Sequence, residues 1–536
     1  MPTLAGWLTG EQVPTEIIEQ TVRAMESVLE QHGGQPARYM QPGVGLIIFA
    51  DTAYAMQRND EPSVLDWVPE RRTLVYRRPL SGWHPLYYME NWPAEGNLVF
   101  ASEIKALLAL GVPRRLNLPA LAALHRYGFI PAPLTAFKDI FVVPAGSILR
   151  WQHAKLVVNA STDYHLHVQD NQPASSDSLE QIHTLLKHAI EGQVPTHEQL
   201  AALTGGGSAS SLATYIASQT TETLFTLATF SAKAAAKQEA IVEQLADVCQ
   251  RPSLAITGLD QLDIWQAVLA ATEAPCIDTL PLALHQLLHT VVAETNARVA
   301  LTGLGARVLL GQDILRDQKR AIKEDEQKEQ REQDVLAWYW QSVNPGKLRE
   351  LPWTPEVQQR LSAEESWEDG RYAQRLVHKT QQLEVVWQRK YYLDLHLRLP
   401  NLLAGPAQQI ATLARVALRS PYLHPDVLDY LTRQPLTFGN HVARTELLTT
   451  LLRQLQPELQ PIAANTPSSL TLPLSTLLHE QESELFQVTL APQALRKYGL
   501  FDIDEVQALC EQKSVSRKLL LIFTTQLFCH LYDATM

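Results

Sequence analysis

The sequence predicts an α+β N-terminal region followed by an α/β doubly wound parallel sheet with a largely helical C-terminal part. Three patterns carry this reading. Up to about residue 160, short apolar runs are joined mainly by turns. Beyond residue 178, strand-like runs alternate with helical stretches, which calls for crossover connections, a parallel sheet and ligands at the strand carboxyl ends. From about residue 335 onward nearly every segment has helical periodicity.

In chain order, apolar Ile17, Ile18, Val22, Met25 and Leu29 fall on one side of a helix over 14–32, stopped by Gly33-Gly34. Residues 43–50 are a short apolar run suited to a buried strand. Residues 73–78, 85–89 and 97–102 are further strands, with a helix after them from Glu103 to Leu110. The polar stretch Gln169–Asp177 is a linker, and Leu179 to Ile190 an amphipathic helix. Residues 223–230 are a strand, 237–249 a helix and 298–303 a strand. The mixed charges of 316–334 suit a solvated helix or a partner-docking one.

Between the first helix and the first strand of this second region lies Leu203-Thr204-Gly205-Gly206-Gly207-Ser208-Ala209-Ser210-Ser211. A strand, a glycine turn and a helix N-terminus point backbone N–H groups and a helix dipole at an anion. By itself such a turn is a weak motif.

The chain has 536 residues, 46% of them hydrophobic and 19% charged, which suits two or three domains with sizeable cores. A net charge of −12 without a basic stripe argues against nucleic acid as a partner. No apolar run is long enough to span a membrane, and the start lacks signal-peptide character, so a cytoplasmic protein is expected. Cys249, Cys276, Cys510 and Cys529 are scattered, as reduced structural thiols would be.

Several stretches resemble glutamine-hydrolysing asparagine synthetase. In its N-terminal domain these are Leu86-Tyr87-Tyr88, Leu98 to Leu108, Leu116-Asn117, Tyr127 to Pro133 with Thr135 to Lys138, and Pro144-Ala145-Gly146-Ser147. The resemblance implies a truncated N-terminal-nucleophile hydrolase-like (Ntn-hydrolase-like) sandwich of β-sheets between helices at residues 1–165. At residues 178–536 it implies a PP-loop synthetase domain.

The same resemblance marks where the chemistry should be. Glutamine hydrolysis needs an N-terminal cysteine as nucleophile. Here Pro2 follows Met1 and no thiol precedes Cys249, so glutaminase activity is expected to be absent. The Arg-Asp pair that the family places before the Leu-Tyr-Tyr hairpin is Arg78-Pro79.

The family's Ser-Gly-Gly-x-Asp-Ser loop aligns with Thr204-Gly205-Gly206-Gly207-Ser208-Ala209, so its Mg²⁺-holding aspartate is Ser208. The family's Gly-x-Gly-Ala-Asp-Glu segment aligns with Gly303-Leu304-Gly305-Ala306-Arg307-Val308, so a second aspartate is Arg307 and the glutamate Val308. Mg²⁺ wants carboxylate and phosphate oxygens. The expectation is no metal and no bound cofactor. A metal-free anion or nucleotide site would use Thr204, Gly205, Gly206, Gly207, Ser210, Gly303, Gly305 and Arg307, because a guanidinium matches phosphate.

Downstream, the family's glutamate before Arg-x-Pro is Ala417, its Asp-Arg pair is Gln408-Gln409, and its lysine loop is Ala463 to Ser469, without lysine. The leading expectation is a catalytically dead family member that works as a binding or regulatory partner. Its partner would be an active paralogue, a biosynthetic enzyme or a second copy of itself. The alternatives are an ATP- and Mg²⁺-dependent amide-forming ligase or cyclase without glutamine hydrolysis, as in β-lactam synthetases and lasso-peptide cyclases, and asparagine synthesis itself.

Overall fold

Strand β1 (Thr3–Leu8) lies at the heart of the N-terminal region and shows why that region is layered. Its alternate residues part company: Ala5 and Trp7 enter a core shared with helices, while Leu4 and Leu8 enter the core between two sheets. The computed structural model describes residues 3–50, 64–166, 176–194, 199–220, 225–231, 236–257, 263–314, 335–343, 351–383, 386–434, 443–459, 484–512 and 516–536. Pro2, most of the expected linker, the charged run at 316–334 and the loop at 463–469 lie outside them.

The remaining N-terminal strands are β2 (Gln35–Gln41), β3 (Val44–Ala50), β4 (Leu65–Val68), β5 (Thr73–Arg77), β6 (Tyr87–Glu90), β7 (Leu98–Ala101), β8 (Phe141–Val142), β9 (Ser147–Gln152) and β10 (Lys155–Ala160). They form two sheets, ordered β2-β3-β1-β7-β6-β8 and β10-β9-β5-β4, whose pairs are antiparallel. Leu8, Leu46, Leu74, Tyr76, Phe100, Leu149 and Trp151 fill the space between the sheets. Gly6 is needed there, since a Cβ would sit 2.4 Å from the Phe100 ring.

Helix α1 (Thr15–Leu29) buries Ile18, Val22, Met25 and Leu29 against the six-stranded sheet, while Ile17 stays half exposed. Helices α2 (Ile104–Leu108) and α3 (Leu118–Tyr127) follow, the latter capped by Asn117 and ended by Gly128 at φ 81°. The other face of the four-stranded sheet leaves Val157 48% exposed. The resemblance implied helices outside both sheets.

The second region holds β11 (Leu200–Leu203), β12 (Phe225–Ser231), β13 (Ser253–Thr257), β14 (Val299–Thr302) and β15 (Ala417–Arg419), all parallel and ordered β13-β12-β11-β14-β15. The chain winds outward from β11 in both directions, which makes the gap between β11 and β14 the topological switch point. Leu200, Ala202, Val299 and Leu301 enter one core, and Ala201, Leu203 and Ala300 another. Both faces are covered, which is why these strands read as unbroken apolar runs.

The covering helices are α4 (Ser176–Gln193), α5 (Ser208–Thr220), α6 (Ala236–Cys249), α7 (Asp263–Thr272), α8 (Leu280–Thr295) and the short α9 (Ala306–Leu309). Then come α10 (Val335–Val343), α11 (Pro355–Ala363), α12 (Arg371–Gln381), α13 (Val386–Leu393), a π-helical stretch (Asp394–Ala404), α14 (Gly405–Leu413), α15 (Pro425–Arg433) and α16 (Ala443–Leu455). The last four are α17 (Glu484–Thr489), α18 (Pro492–Tyr498), α19 (Ile503–Cys510) and α20 (Arg517–Tyr532). Among the described residues no helix is long and apolar enough to cross a membrane.

The two regions share a core. Leu519 to Phe523, Leu527 and Phe528 of α20 join Trp265 and Val268 of α7 and Leu107, Leu121 and Phe137 of the N-terminal region. A buried carboxylate completes the join: Glu273 accepts the Ile104 and Lys105 N–H groups, each at 2.7 Å, at the open end of α2. Burial pushes the Glu273 carboxyl up to about 8, reinforced by the charge of Glu103 and opposed by Lys105 and the two N–H groups. A group raised in the folded state holds its proton more tightly there. Its contribution is therefore complete below the unfolded carboxyl value, about 4.3, and is lost as pH rises through the folded value. Denaturant unfolding across that interval is expected to show wild-type stability falling with pH more steeply than that of Glu273→Gln. Parallel slopes would refute this.

Candidate functional site

The glycine turn sits at the switch point. It leaves β11 at Thr204, passes through Gly206 at φ 76° and enters α5 at Ser208. Two of its hydroxyls serve the turn itself, while that of Ser211 is buried without a hydrogen-bond partner among the described residues. Thr204 Oγ1 donates to Ser210 Oγ at 3.0 Å and accepts the Gly206 N–H at 3.3 Å, and Ser210 Oγ donates to the Gly207 carbonyl at 3.2 Å. From the far side of the crevice, Tyr422 Oη donates to the Ala209 carbonyl at 2.7 Å.

Gly303 follows β14 and packs directly on the first turn of α5. A Cβ there would lie 2.8 Å from Ser210 N and 3.1 Å from its Cα, both backbone atoms. Gly305 adopts φ 87°, and a Cβ on it would meet Leu423 Cδ2 at 2.5 Å. The structure thus brings Thr204, Gly205, Gly206, Gly207, Ser208, Ser210, Gly303 and Gly305 to the carboxyl ends of two adjacent central strands.

The remaining candidates do not join them as polar groups. Val308 on α9 is 4% exposed, and Ala417 on β15 is 6% exposed; both belong to an apolar core with Ala306, Leu309 and Tyr422. Arg307 reaches Asp313 instead. Its Nε lies 2.9 Å and its Nη2 2.8 Å from Asp313 Oδ1, while Arg398 Nη1 holds Oδ2 at 2.6 Å. Asp313 is almost fully buried, whereas the Arg307 side chain is 31% exposed. Burial works against the charge on Arg398, but Asp313 and Asp394 outweigh it and raise its pKa. Asp394 in turn accepts from the buried Lys390 at 3.1 Å and from Tyr339 Oη at 3.0 Å.

Beyond the ends of β14 and β15, a small cavity is lined by Leu284, Thr302, Leu304, Leu402, Ile410 and Leu418, with no charged side chain. A larger one, 120 Å³, lies where the two regions meet and includes Arg78, Tyr87, Glu273, Asn401 and Gln409 in its walls. Around it the positions aligned with the family's Asp-Arg pair hold the regions together. Gln408 Oε1 accepts the His84 N–H at 2.6 Å, Gln408 Nε2 lies 3.1 Å from His84 Nδ1, and Gln409 Nε2 donates to Tyr87 Oη at 2.8 Å. Burial drives His84 well below its usual range, so its ring is neutral. Arg78 donates to the Val143 and Gly82 carbonyls at 2.7 and 2.8 Å. All four cysteines are free, and burial raises every thiol, those of Cys276 and Cys529 to about 12.

Comparison with known families agrees with this architecture. Residues 181–528 match the family model described as asparagine synthase, and residues 64–164 match that of a glutamine amidotransferase domain. The first match covers more than half of the chain, and the chain belongs to the asparagine synthase family. No curated protein matches it.

The sequence reading passed over Asp313 and Arg398. Asp313 was within reach, as an acid six residues beyond Arg307, but Arg398 is 85 residues further along. Removing Asp313 leaves two guanidiniums, Arg398 at 23% and Arg307 at 31% side-chain exposure, with no acid between them. Asp313→Ala is expected to destabilise the protein by about 1.5–3 kcal/mol, the worth of hydrogen bonds to a charged group. Arg307→Ala, at a part-exposed position with Asp313 still paired to Arg398, is expected to cost no more than about 1 kcal/mol. Equilibrium denaturation of both variants measures the difference, and equal losses would contradict the assignment.

Proposed function

We propose that this asparagine synthase family member is non-catalytic, with both family active sites degraded. It would act as a binding or regulatory partner of another protein, either an active paralogue or an enzyme of amide-forming biosynthesis, or as a homodimer. The observation that carries the reading is the Arg307–Asp313 pair. At a position where the resemblance requires a carboxylate for Mg²⁺, this chain has a cation that already has an acid of its own. At an effective dielectric of about 20, a divalent ion roughly 5 Å from a guanidinium is repelled by several kcal/mol, and Asp313 offsets part of that. An ordinary millimolar site is worth only about 4 kcal/mol. Ser208 supplies no compensating charge, and Val308 and Ala417 offer no acid or base.

A further observation supports the reading. None of the four thiols has the lowered pKa of a cysteine nucleophile. Neither ATP nor Mg²⁺ is then a cofactor.

A second reading, an ATP-dependent amide-forming ligase or cyclase without glutamine hydrolysis, draws on the intact glycine turn and on the part-exposed Arg307, which offers a guanidinium to phosphate. Calorimetric titration of ATP with and without Mg²⁺, beside aspartate-dependent ATP–pyrophosphate exchange, separates the two. The expected outcome is no exchange and no Mg²⁺-dependent binding. The double variant Ser208→Asp, Arg307→Asp is expected to gain neither. Mg²⁺-dependent exchange by the wild-type chain would overturn the non-catalytic reading.

A further inference from the structure

Three ligating side chains meet where α4 packs against the start of α15. His188 lies late in α4, His424 immediately precedes α15, and Asp426 is in the first turn of α15. One ligand atom from each residue lies within 4.8 Å of the other two. The rings of His188 and His424 stand nearly perpendicular at 6.2 Å, and His424 Nδ1 is 3.8 Å from Asp426 Oδ2.

The elements bearing these groups are held in place. Ile182, Leu186 and Ile190 of α4 share a core with Val427, Leu428 and Leu431 of α15, and Tyr430 Oη donates to the Ser178 carbonyl at 3.1 Å. The ligand-bearing tips are free to adjust, since His188 and Asp426 are both exposed and His424 is half-buried.

We propose that His188, His424 and Asp426 form a binding site for a borderline divalent transition-metal ion of the Zn²⁺ type. Two imidazoles and one carboxylate suit Zn²⁺, Co²⁺ or Ni²⁺ and not Mg²⁺, which asks for an all-oxygen shell. With metal–ligand bonds of about 2.0–2.2 Å, tetrahedral ligands stand roughly 3.4 Å apart. The ligand atoms now lie within 4.8 Å of one another, and the exposure of His188 and Asp426 leaves their side chains room to close that gap. The fourth position faces solvent and takes water. A metal here clips α4, the first helix of the synthase-like region, to α15, and stabilises that region by mass action.

The site is independent of the non-catalytic reading and is tested apart from it. Zn²⁺ is titrated into the full chain under reducing conditions by calorimetry, with thermal unfolding in parallel and Co²⁺ as a spectroscopic probe. The expected result is one Zn²⁺ per chain and an upward shift of the unfolding temperature. Bound Co²⁺ should show the visible bands of a tetrahedral nitrogen–oxygen site without thiolate charge transfer. His188→Ala and Asp426→Ala, both at exposed positions, are expected to weaken Zn²⁺ at least about tenfold and to abolish the shift. His165→Ala, an exposed histidine that instead faces Asp429 at 3.7 Å, should leave binding unchanged. Equal affinity in wild type and His188→Ala, equal loss in His165→Ala, a thiolate band with Co²⁺, or binding of Mg²⁺ as tight as that of Zn²⁺ would each overturn the proposal.

Discussion

The second region depends on one contact with no room for a side chain, the approach of Gly303 to the backbone of Ser210. A Cβ at 2.8 Å from a backbone nitrogen cannot be relieved by a rotamer change, so β14 and the first turn of α5 must separate or the residue must be glycine. That approach seats the switch point. With it come the Thr204–Ser210 hydrogen bond, the Tyr422–Ala209 bond and the positive φ of Gly305 against Leu423. Gly303 and Gly305 are therefore required here by packing, and Gly206 by its positive φ, whereas a Cβ on Gly207 would meet nothing closer than 4.0 Å. The presence of Gly303 and Gly305 is thus compatible with a chain that holds no nucleotide.

The charged residues follow a different logic. The carboxylates expected from the resemblance at positions 208, 307, 308, 408 and 417 are missing, but the region is not stripped of acids. Asp313 and Asp394 lie buried among Arg307, Arg398, Lys390 and Tyr339. Each acid has a specific cation within hydrogen-bonding distance, which offsets the cost of burying its charge. An arginine at position 307 would be costly beside a metal; beside Asp313 it is accommodated. Arg307 and Asp313 thus account for each other's charge.

Much of the fold was legible because its signals are local. β11 and β14 are unbroken apolar runs buried on both faces, α1 has a clean apolar stripe, and the glycine turn interrupts the pattern where a strand becomes a helix. β2 and β4 were missed because they are part-exposed edge strands, β2 mostly polar and β4 only four residues long with Leu65 and Trp67 toward the core. β15, three residues long, gives too little pattern to read, yet it completes the sheet beside β14. The shared core of α20 with the N-terminal region was hidden because its members are hundreds of residues apart. The candidate site divides the same way. The turn residues converge as their spacing suggested, whereas the role of Arg307 depends on Asp313 and Arg398, which no motif joins to it.

The seam between the regions extends this logic. Gln408 and Gln409 stand where the resemblance has a charged pair, and each has become a neutral hydrogen-bonding partner of the N-terminal region, through His84 and Tyr87. Neutral groups suit that seam, since His84 is buried and uncharged and Tyr87 is held well above its ordinary range by burial. Gly82 abuts Pro400 so closely that a Cβ would lie 2.4 Å from its Cα, and Glu273 ties α2 to the end of α7. Opening this seam would exchange these hydrogen bonds for bonds to water, at about 0.5–1.5 kcal/mol each. An amide-forming enzyme of this layout must admit substrates to its crevice and release product. The contacts at Gln408, Gln409 and Glu273 hold the two regions as one body, and under the proposed non-catalytic reading such a body would present a fixed surface to a partner.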